Sequence, residues 1–370
     1  MQIKQVKLHQ IRMKLNVPFV TSYGAVQDRE SIIVEMEDDQ GIIGWGECVA
    51  FSAPWYTEET LQTCQHMMAD FLIPILFQQP LAHPDEVRQR FLPVRRNQMA
   101  KAALEGAVWD VYAKRKMMTL SKVIGGEKEK IEVGVAIGIR PLAMMLDEIN
   151  NALAEGYKRI KVKIKPGLEH EFLGGIRRHF PSLPLMADAN SAYCLDDIDL
   201  LKSLDEYQLM MIEQPLGVDD LVDHAKLQKR IKTPVCLDES IVSYEYAQKA
   251  VELGSCKVIN IKIGRVGGIS EAKRIHDLCQ QHDIALWGGG MLEAGVARAH
   301  SVAIASLPYF TLPADTAGSS RYWERDIIEP EVTVHQGAIH VSNQPGLGYH
   351  INRKRLEDVT VQKTTFIKDK

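Results

Sequence analysis

The sequence predicts an α/β protein: a parallel (β/α) barrel with an α+β capping domain built from both chain ends. Three observations predict it. Short apolar runs, each ending in a charged residue or a glycine cluster, recur at a nearly fixed interval. Counting from Lys163, the run ends fall at Asp188 (188 − 163 = 25), Glu213 (213 − 188 = 25), Asp238 (238 − 213 = 25), Lys262 (262 − 238 = 24) and Gly288 (288 − 262 = 26). One short strand plus one helix fills such a period, and eight of these units close into a ring. The second observation is that residues 1–125 lack the period, and the third is a pair of β-like runs after residue 320 that point back toward the first domain. The chain has 370 residues, enough for a barrel of about 250 and a second domain of about 100. The expected division is 1–125 capping domain, 126–320 barrel and 321–370 return to the cap.

In chain order, Gln2–Met13, Ser31–Glu37 and Gly41–Glu47 read as strands, the last two joined by a hairpin at Asp38-Asp39-Gln40. Thr57, followed by Glu58 and Glu59, reads as the N-cap of a helix with an acidic first turn. Asn97 to about Met118 reads as a second helix, with Ala102, Ala103, Ala107 and Val111 forming a small-residue face suited to close packing. Gly125-Gly126 ends this part. The barrel then starts with Ile131–Ile139. Next comes Arg159-Ile-Lys-Val-Lys-Ile-Lys-Pro-Gly167, whose alternation puts Lys161, Lys163 and Lys165 on one strand face and the branched residues on the other. Tyr309-Phe-Thr-Leu312, before Asp315, is the expected eighth strand. Val332–Val334 and Ala338–Val341, turning at His335-Gln336-Gly337, are expected to pair with the N-terminal sheet.

Composition narrows the function class. Hydrophobic residues make up 45% and charged residues 25%, with a net charge of −4. These ordinary globular values argue against nucleic acid or an anionic membrane as the main partner. The six cysteines are scattered without a CxxC pair, which points to reduced thiols. The N-terminus lacks the apolar core of a signal peptide and no run approaches a membrane span, so a cytoplasmic protein is expected.

Catalytic groups of such barrels come from the C-terminal ends of several strands; here those ends are Lys163, Asp188, Glu213, Asp238 and Lys262. Three converging carboxylates repel one another unless a cation sits among them. Oxygen-only ligands suit a hard divalent ion, Mg²⁺ before Mn²⁺. Lys163 and Lys262, from strands flanking the acidic three, place an amine on each side of a bound carboxylate substrate. Removal of its α-proton creates an enediolate that positive charge can stabilise. A lysine base must be neutral, and the charge of Lys161 lowers the pKa of Lys163. Lys165 leaves a register slip of two residues open; the spacing to Asp188 and the Pro166-Gly167 stop favour Lys163. Asn190 shares the strand face of Asp188 and is a candidate substrate ligand; Glu239 is a candidate support for Asp238. The aromatic loops 18–24 and 51–56, with Phe19, Tyr23, Phe51 and Tyr56, are expected to form a lid that selects the substrate side chain.

Lys161-Val-Lys163, Asp188-Ala-Asn190, Glu213-Gln-Pro215, Asp238-Glu-Ser240 and Asn260-Ile-Lys262 together resemble the muconate-lactonising subgroup of the enolase superfamily, over essentially the whole chain. Gly290-Met-Leu-Glu293 and Ser319-Ser-Arg-Tyr-Trp323 are similar to its o-succinylbenzoate synthase and N-succinylamino acid racemase branch, which adds Gly290, Met291, Asp315 and Ser319 as substrate-binding candidates. The resemblance implies a modified TIM-type (β/α)7β barrel, Mg²⁺ and a homo-oligomer. It also implies syn dehydration of a succinyl-hydroxycyclohexadiene carboxylate, a step toward menaquinone, with Lys163 as base and Lys262 as the stabilising cation. Racemisation of N-acylamino acids uses the same two lysines as paired bases. Dipeptide epimerases of the subgroup have a DxD after the eighth strand, whereas Asp315-Thr-Ala has only its first Asp. Outside enzymes, the alternative is a catalytically silent metal-binding barrel.

Overall fold

The computed structural model describes residues 1–21 and 24–368. At the N-terminus, β1 (Ile3–Thr21), β2 (Gly24–Asp38) and β3 (Ile43–Cys48) form an antiparallel meander. The expected hairpin stands at Asp38–Gln40: the Asp38 carboxylate accepts from the backbone N–H groups of Gln40 and Ile42, each at 2.9 Å, and Gly41 takes a φ of +75°. Such an Asp turn satisfies amides that the ladder leaves free.

The long helix Gln98–Arg115 packs directly on β3. The small-residue face is what permits this. A Cβ on Gly46 would stand 1.9 Å from the Ala103 carbonyl oxygen, and one on Gly44 would stand 2.3 Å from that of Ala107. Strand and helix thus meet backbone to backbone. Gly46→Ala is expected to destabilise the protein by about 3 kcal/mol or more, because neither backbone can yield. Chemical denaturation of the variant beside wild type checks this.

The first helix starts later than Thr57. Its N-cap is Thr60, which accepts from Thr63 N–H ahead of Leu61–Met67. Glu59 explains the shift: its buried carboxylate accepts from the amides of Met99 and Ala100, so it caps the long helix and holds residues 57–59 outside their own.

The barrel begins after β4 (Lys130–Glu132). Its strands are β5 (Val135–Ile137), β6 (Ile160–Lys163), β7 (Leu185–Asp188), β8 (Ile212–Glu213), β9 (Val235–Leu237), β10 (Val258–Ile261) and β11 (Ala285–Gly288). They form one parallel sheet in sequence order. The expected eighth strand at Tyr309–Leu312 is not a strand. The ring is closed slightly later by single backbone bonds: Leu312 and Asp315 donate to Leu286 and Gly288 on one edge, and Ala314 exchanges bonds with Glu132 and Gly134 on the other. Pro313 has no N–H to offer, which limits this stretch to a bridge.

Met186, Met211, Cys236, Val258 and Trp287 pack into a small cluster inside the ring. Leu185, Ala187, Ile212, Val235, Leu237, Ile259 and Ile261 face outward to the helices.

The C-terminal pairing also differs from expectation. β12 (Ile328–Glu329) pairs with a later strand, β14 (His350–Ile351). Val332–Val334 forms no strand, and β13 (Ala338–His340) pairs with β4. The strand that joins the N-terminal sheet is β15 (Thr360–Ile367), antiparallel to β1. Among the described residues no helix is long and apolar enough to cross a membrane.

Candidate active site

Parallel register sets the site. Lys163 lies opposite Asp188, and Asp188 opposite Glu213. Glu213 pairs with Cys236, so Asp238 follows two residues on, just past the end of β9. Lys262 immediately follows β10. The C-terminal rim therefore presents the five charged residues in strand order, with Lys163 and Lys262 on the two flanks.

The Lys163 ammonium donates to Asp188 at 2.6 Å and to Asn190 Oδ1 at 2.5 Å. Lys165, beyond the strand, is exposed. Lys161 lies deeper, 2.5 Å from Asp315, 3.2 Å from Glu213 and 3.5 Å from Asp188. Burial works against its charge, but the three carboxylates outweigh that and hold its pKa well above the usual lysine value. On the far flank Lys262 donates to Asp238 and to the Tyr56 hydroxyl, both at 2.9 Å. Its pKa also stands above the usual value: burial opposes the charge, and Tyr56, Glu239 and Glu213 together outweigh burial.

The acids behave differently from one another. Asp188 is held well below the carboxylate range, since Lys163 and Lys161 outweigh its burial. Glu213 is pushed up by burial and by the neighbouring charge of Asp188. Glu239 is raised for the same two reasons. It accepts from Asn190 at 3.1 Å, while its other oxygen has no partner. Among the described residues no three Asp, Glu, His or Cys side chains converge into a ready-made metal cage: Asp188, Glu213 and Asp238 are each turned onto a lysine. The donor set nevertheless fits a hard dication. All three carboxylates are buried, they sit at adjacent strand ends, and mutual repulsion raises one of them.

Of the loop candidates, Tyr56 reaches the site. Its hydroxyl donates to Asp238 at 3.4 Å and accepts from Arg265 at 3.2 Å as well as from Lys262. Phe51 is buried behind it, with Trp55 at 4.3 Å between ring centroids and the Arg29 guanidinium over its face at 4.3 Å. Phe19 continues β1 opposite Val26. Tyr23 lies outside the described residues, and the side chain of Phe19 does too.

Gly290 packs against the Asp315 carbonyl, where a Cβ would be 2.7 Å away. Met291 is half-buried and its N–H donates to Glu293 at 2.6 Å. Asp315 is bound by Arg159 and Lys161, so it is not free to hold a substrate ammonium. Ser319 is fully buried and donates to Asp326 at 2.6 Å. That places it in the support of the following loop.

Two arginines were not anticipated. Arg265 ion-pairs with Asp238 and donates to the carbonyls of Ile241 and Asn260. A lone charge in the glycine-rich run Gly264-Arg-Val-Gly-Gly268 is the signal that could have exposed it. Arg159 pairs with Asp315 and stacks over Trp287 at 4.2 Å. It shares the strand parity of Lys161 and Lys163, which would have found it.

Residues 3–125 match the model of the mandelate racemase / muconate lactonizing enzyme N-terminal domain, and residues 144–355 match the enolase C-terminal domain-like model. The chain belongs to the enolase superfamily. Among superfamily relatives, it is 59% identical to the o-succinylbenzoate synthase of Geobacillus kaustophilus over 97% of this chain and 96% of that one. It is 43% identical to the N-succinylamino acid racemase of Thermus thermophilus, over 98% of each. An enolase-superfamily structure from Listeria innocua superposes with a TM-score of 0.98 at 42% identity, covering both chains fully.

Proposed function

We propose that this chain is a Mg²⁺-dependent o-succinylbenzoate synthase, which dehydrates 2-succinyl-6-hydroxy-2,4-cyclohexadiene-1-carboxylate. The observation that carries the reading is the near full-length 59% identity to a relative of that name, and the lysine-flanked row of acids supplies the chemistry. A divalent cation held by Asp188, Glu213 and Asp238, Mg²⁺ before Mn²⁺, would supply fixed positive charge against the substrate carboxylate.

Lys163 takes the α-proton, and the ammonium of Lys262 faces the electron-rich ring from the other flank. In a syn elimination the departing hydroxyl is on the Lys163 face. The C–O bond breaks, the ring becomes aromatic, and the hydroxyl leaves as water with the proton that Lys163 has just gained. Lys161 stays charged beneath the row of acids, held by Asp315, Glu213 and Asp188. Tyr56 and Asp238 orient Lys262.

Charge also points to the substrate class. Asp188, Glu213, Asp238, Glu239 and Asp315 (five acids) stand against Lys161, Lys163, Lys262, Arg159 and Arg265 (five bases). Adding a dication leaves the site positive, which favours a dicarboxylate over a zwitterionic dipeptide. The test is loss of the cyclohexadiene absorbance on adding enzyme, abolished by EDTA and restored by Mg²⁺. No turnover of that compound with the Mg²⁺-loaded protein would overturn the proposal.

N-succinylamino acid racemisation is the second reading, favoured by the relative from Thermus thermophilus and by two amines on opposite flanks. Fast racemisation without dehydration would put it first.

A further inference from the structure

The two lysines are supported in different ways. Lys163 ends a strand whose contacts at the rim, Asp188 and Asn190, belong to the barrel. Lys262 begins a turn, Ile263–Val266, that continues through Gly267 and Gly268 into the helix Ile269–Gln281. This turn is wedged against the capping domain along its length. A Cβ on Gly264 would stand 2.7 Å from Val49, one on Gly267 2.8 Å from the Gln98 side chain, and one on Gly268 2.5 Å from Glu105 Oε2. Both Gly267 and Gly268 have positive φ, +98° and +131°, so the chain here turns as only glycine does readily.

Glu105 is the centre of this contact. It lies on the long helix Gln98–Arg115 and is 1% exposed. Its carboxylate accepts from Ile269 N–H at 2.8 Å, Ser270 N–H at 2.9 Å, Ser270 Oγ at 2.6 Å and Trp109 Nε1 at 2.9 Å. The helix Ile269–Gln281 has no side-chain cap of its own, its N-cap being Gly268. Its first amides are satisfied by a residue 164 positions away in sequence. Unsatisfied amides there would be free to shift, and the turn bearing Lys262 with them.

We infer that Glu105 is a positioning residue for Lys262: the capping domain, through this carboxylate, sets the place of one of the two lysines and leaves the other to the barrel. The inference rests on the two-lysine reading proposed above. Misplacement of a reacting group by about 1 Å costs on the order of 10²-fold in rate, so a one-sided loss is measurable.

The test compares Glu105→Ala with Glu105→Asp and with Asp110→Asn. Asp110 is on the same helix, buried and bonded to the amides of Trp45 and Leu347, but away from the Lys262 turn. Each Mg²⁺-loaded protein is incubated in D₂O with the separate L- and D-enantiomers of one N-succinylamino acid, and α-deuteration is followed by NMR. Glu105→Ala is expected to slow exchange of one enantiomer, the one whose α-hydrogen faces Lys262, by about tenfold to 10²-fold and the other by less than about twofold. Glu105→Asp, with its carboxylate one methylene short, gives the same asymmetry at smaller size. Asp110→Asn lowers stability without asymmetry.

A crystal structure of Glu105→Ala reads the same point without activity: the 2.9 Å Lys262–Tyr56 contact opens, while the 2.6 Å Lys163–Asp188 contact stays. Equal losses on both enantiomers, or no loss with Lys262 unmoved, would overturn the inference. Wild-type protein inert toward both enantiomers refutes the racemase reading instead, and the crystal structure then decides the positioning role alone.

Discussion

Replacing Lys163 with alanine is expected to lower kcat/KM for the cyclohexadiene dicarboxylate by about 10⁴-fold or more, the full value of a positioned base. Lys165→Ala, by contrast, is expected to stay within about twofold, as for a surface substitution. Parity cannot separate these lysines, because both alternate on the same face. Register does: Lys163 is the last residue of β6, pairs with Asp188 and places its ammonium between that carboxylate and Asn190. Lys165 lies past the strand and in solvent. A 10⁴-fold loss is about 5.4 kcal/mol of transition-state stabilisation, far above what a surface charge contributes. Steady-state rates beside melting temperatures check that the fold is kept. Retained turnover in Lys163→Ala would remove the base from the mechanism.

The rim of charged residues was legible because strand alternation is a local rule and a parallel barrel repeats it at a constant interval. Lys163, Asp188, Glu213, Asp238 and Lys262 needed only counting. The capping domain was less legible where long-range pairing decides. In β15 exposed positions alternate only weakly with half-buried ones, so no apolar period marks it, and its partner β1 lies at the other end of the chain. Ala338–His340 reads as a strand locally, yet its partner is β4 rather than the N-terminal sheet. Glu59 and Glu105 look like ordinary helix-surface acids. Both are buried because they cap helices that begin elsewhere, a use that spacing along the chain cannot disclose.

Lys262→Ala is expected to separate proton removal from the later steps of the reaction. Lys262 is buried, and three barrel strands lie between its strand and that of Lys163. The loss of its ammonium removes a cation aimed at developing negative charge, which lowers dehydration by about 10²- to 10³-fold. It also leaves Asp238 with Arg265 as its cationic partner. Racemisation of an N-succinylamino acid needs both faces of the α-carbon, so it should fall below detection. Exchange in D₂O needs one face only. The enantiomer whose α-hydrogen points to Lys163 should therefore still take up deuterium, with retention, at a reduced rate, while its mirror image does not. Separate incubations of the two enantiomers, read by NMR and chiral chromatography, check this. If both enantiomers exchange in Lys262→Ala, a single flexible base serves both faces. The opposed placement of the two lysines would then have no chemical consequence.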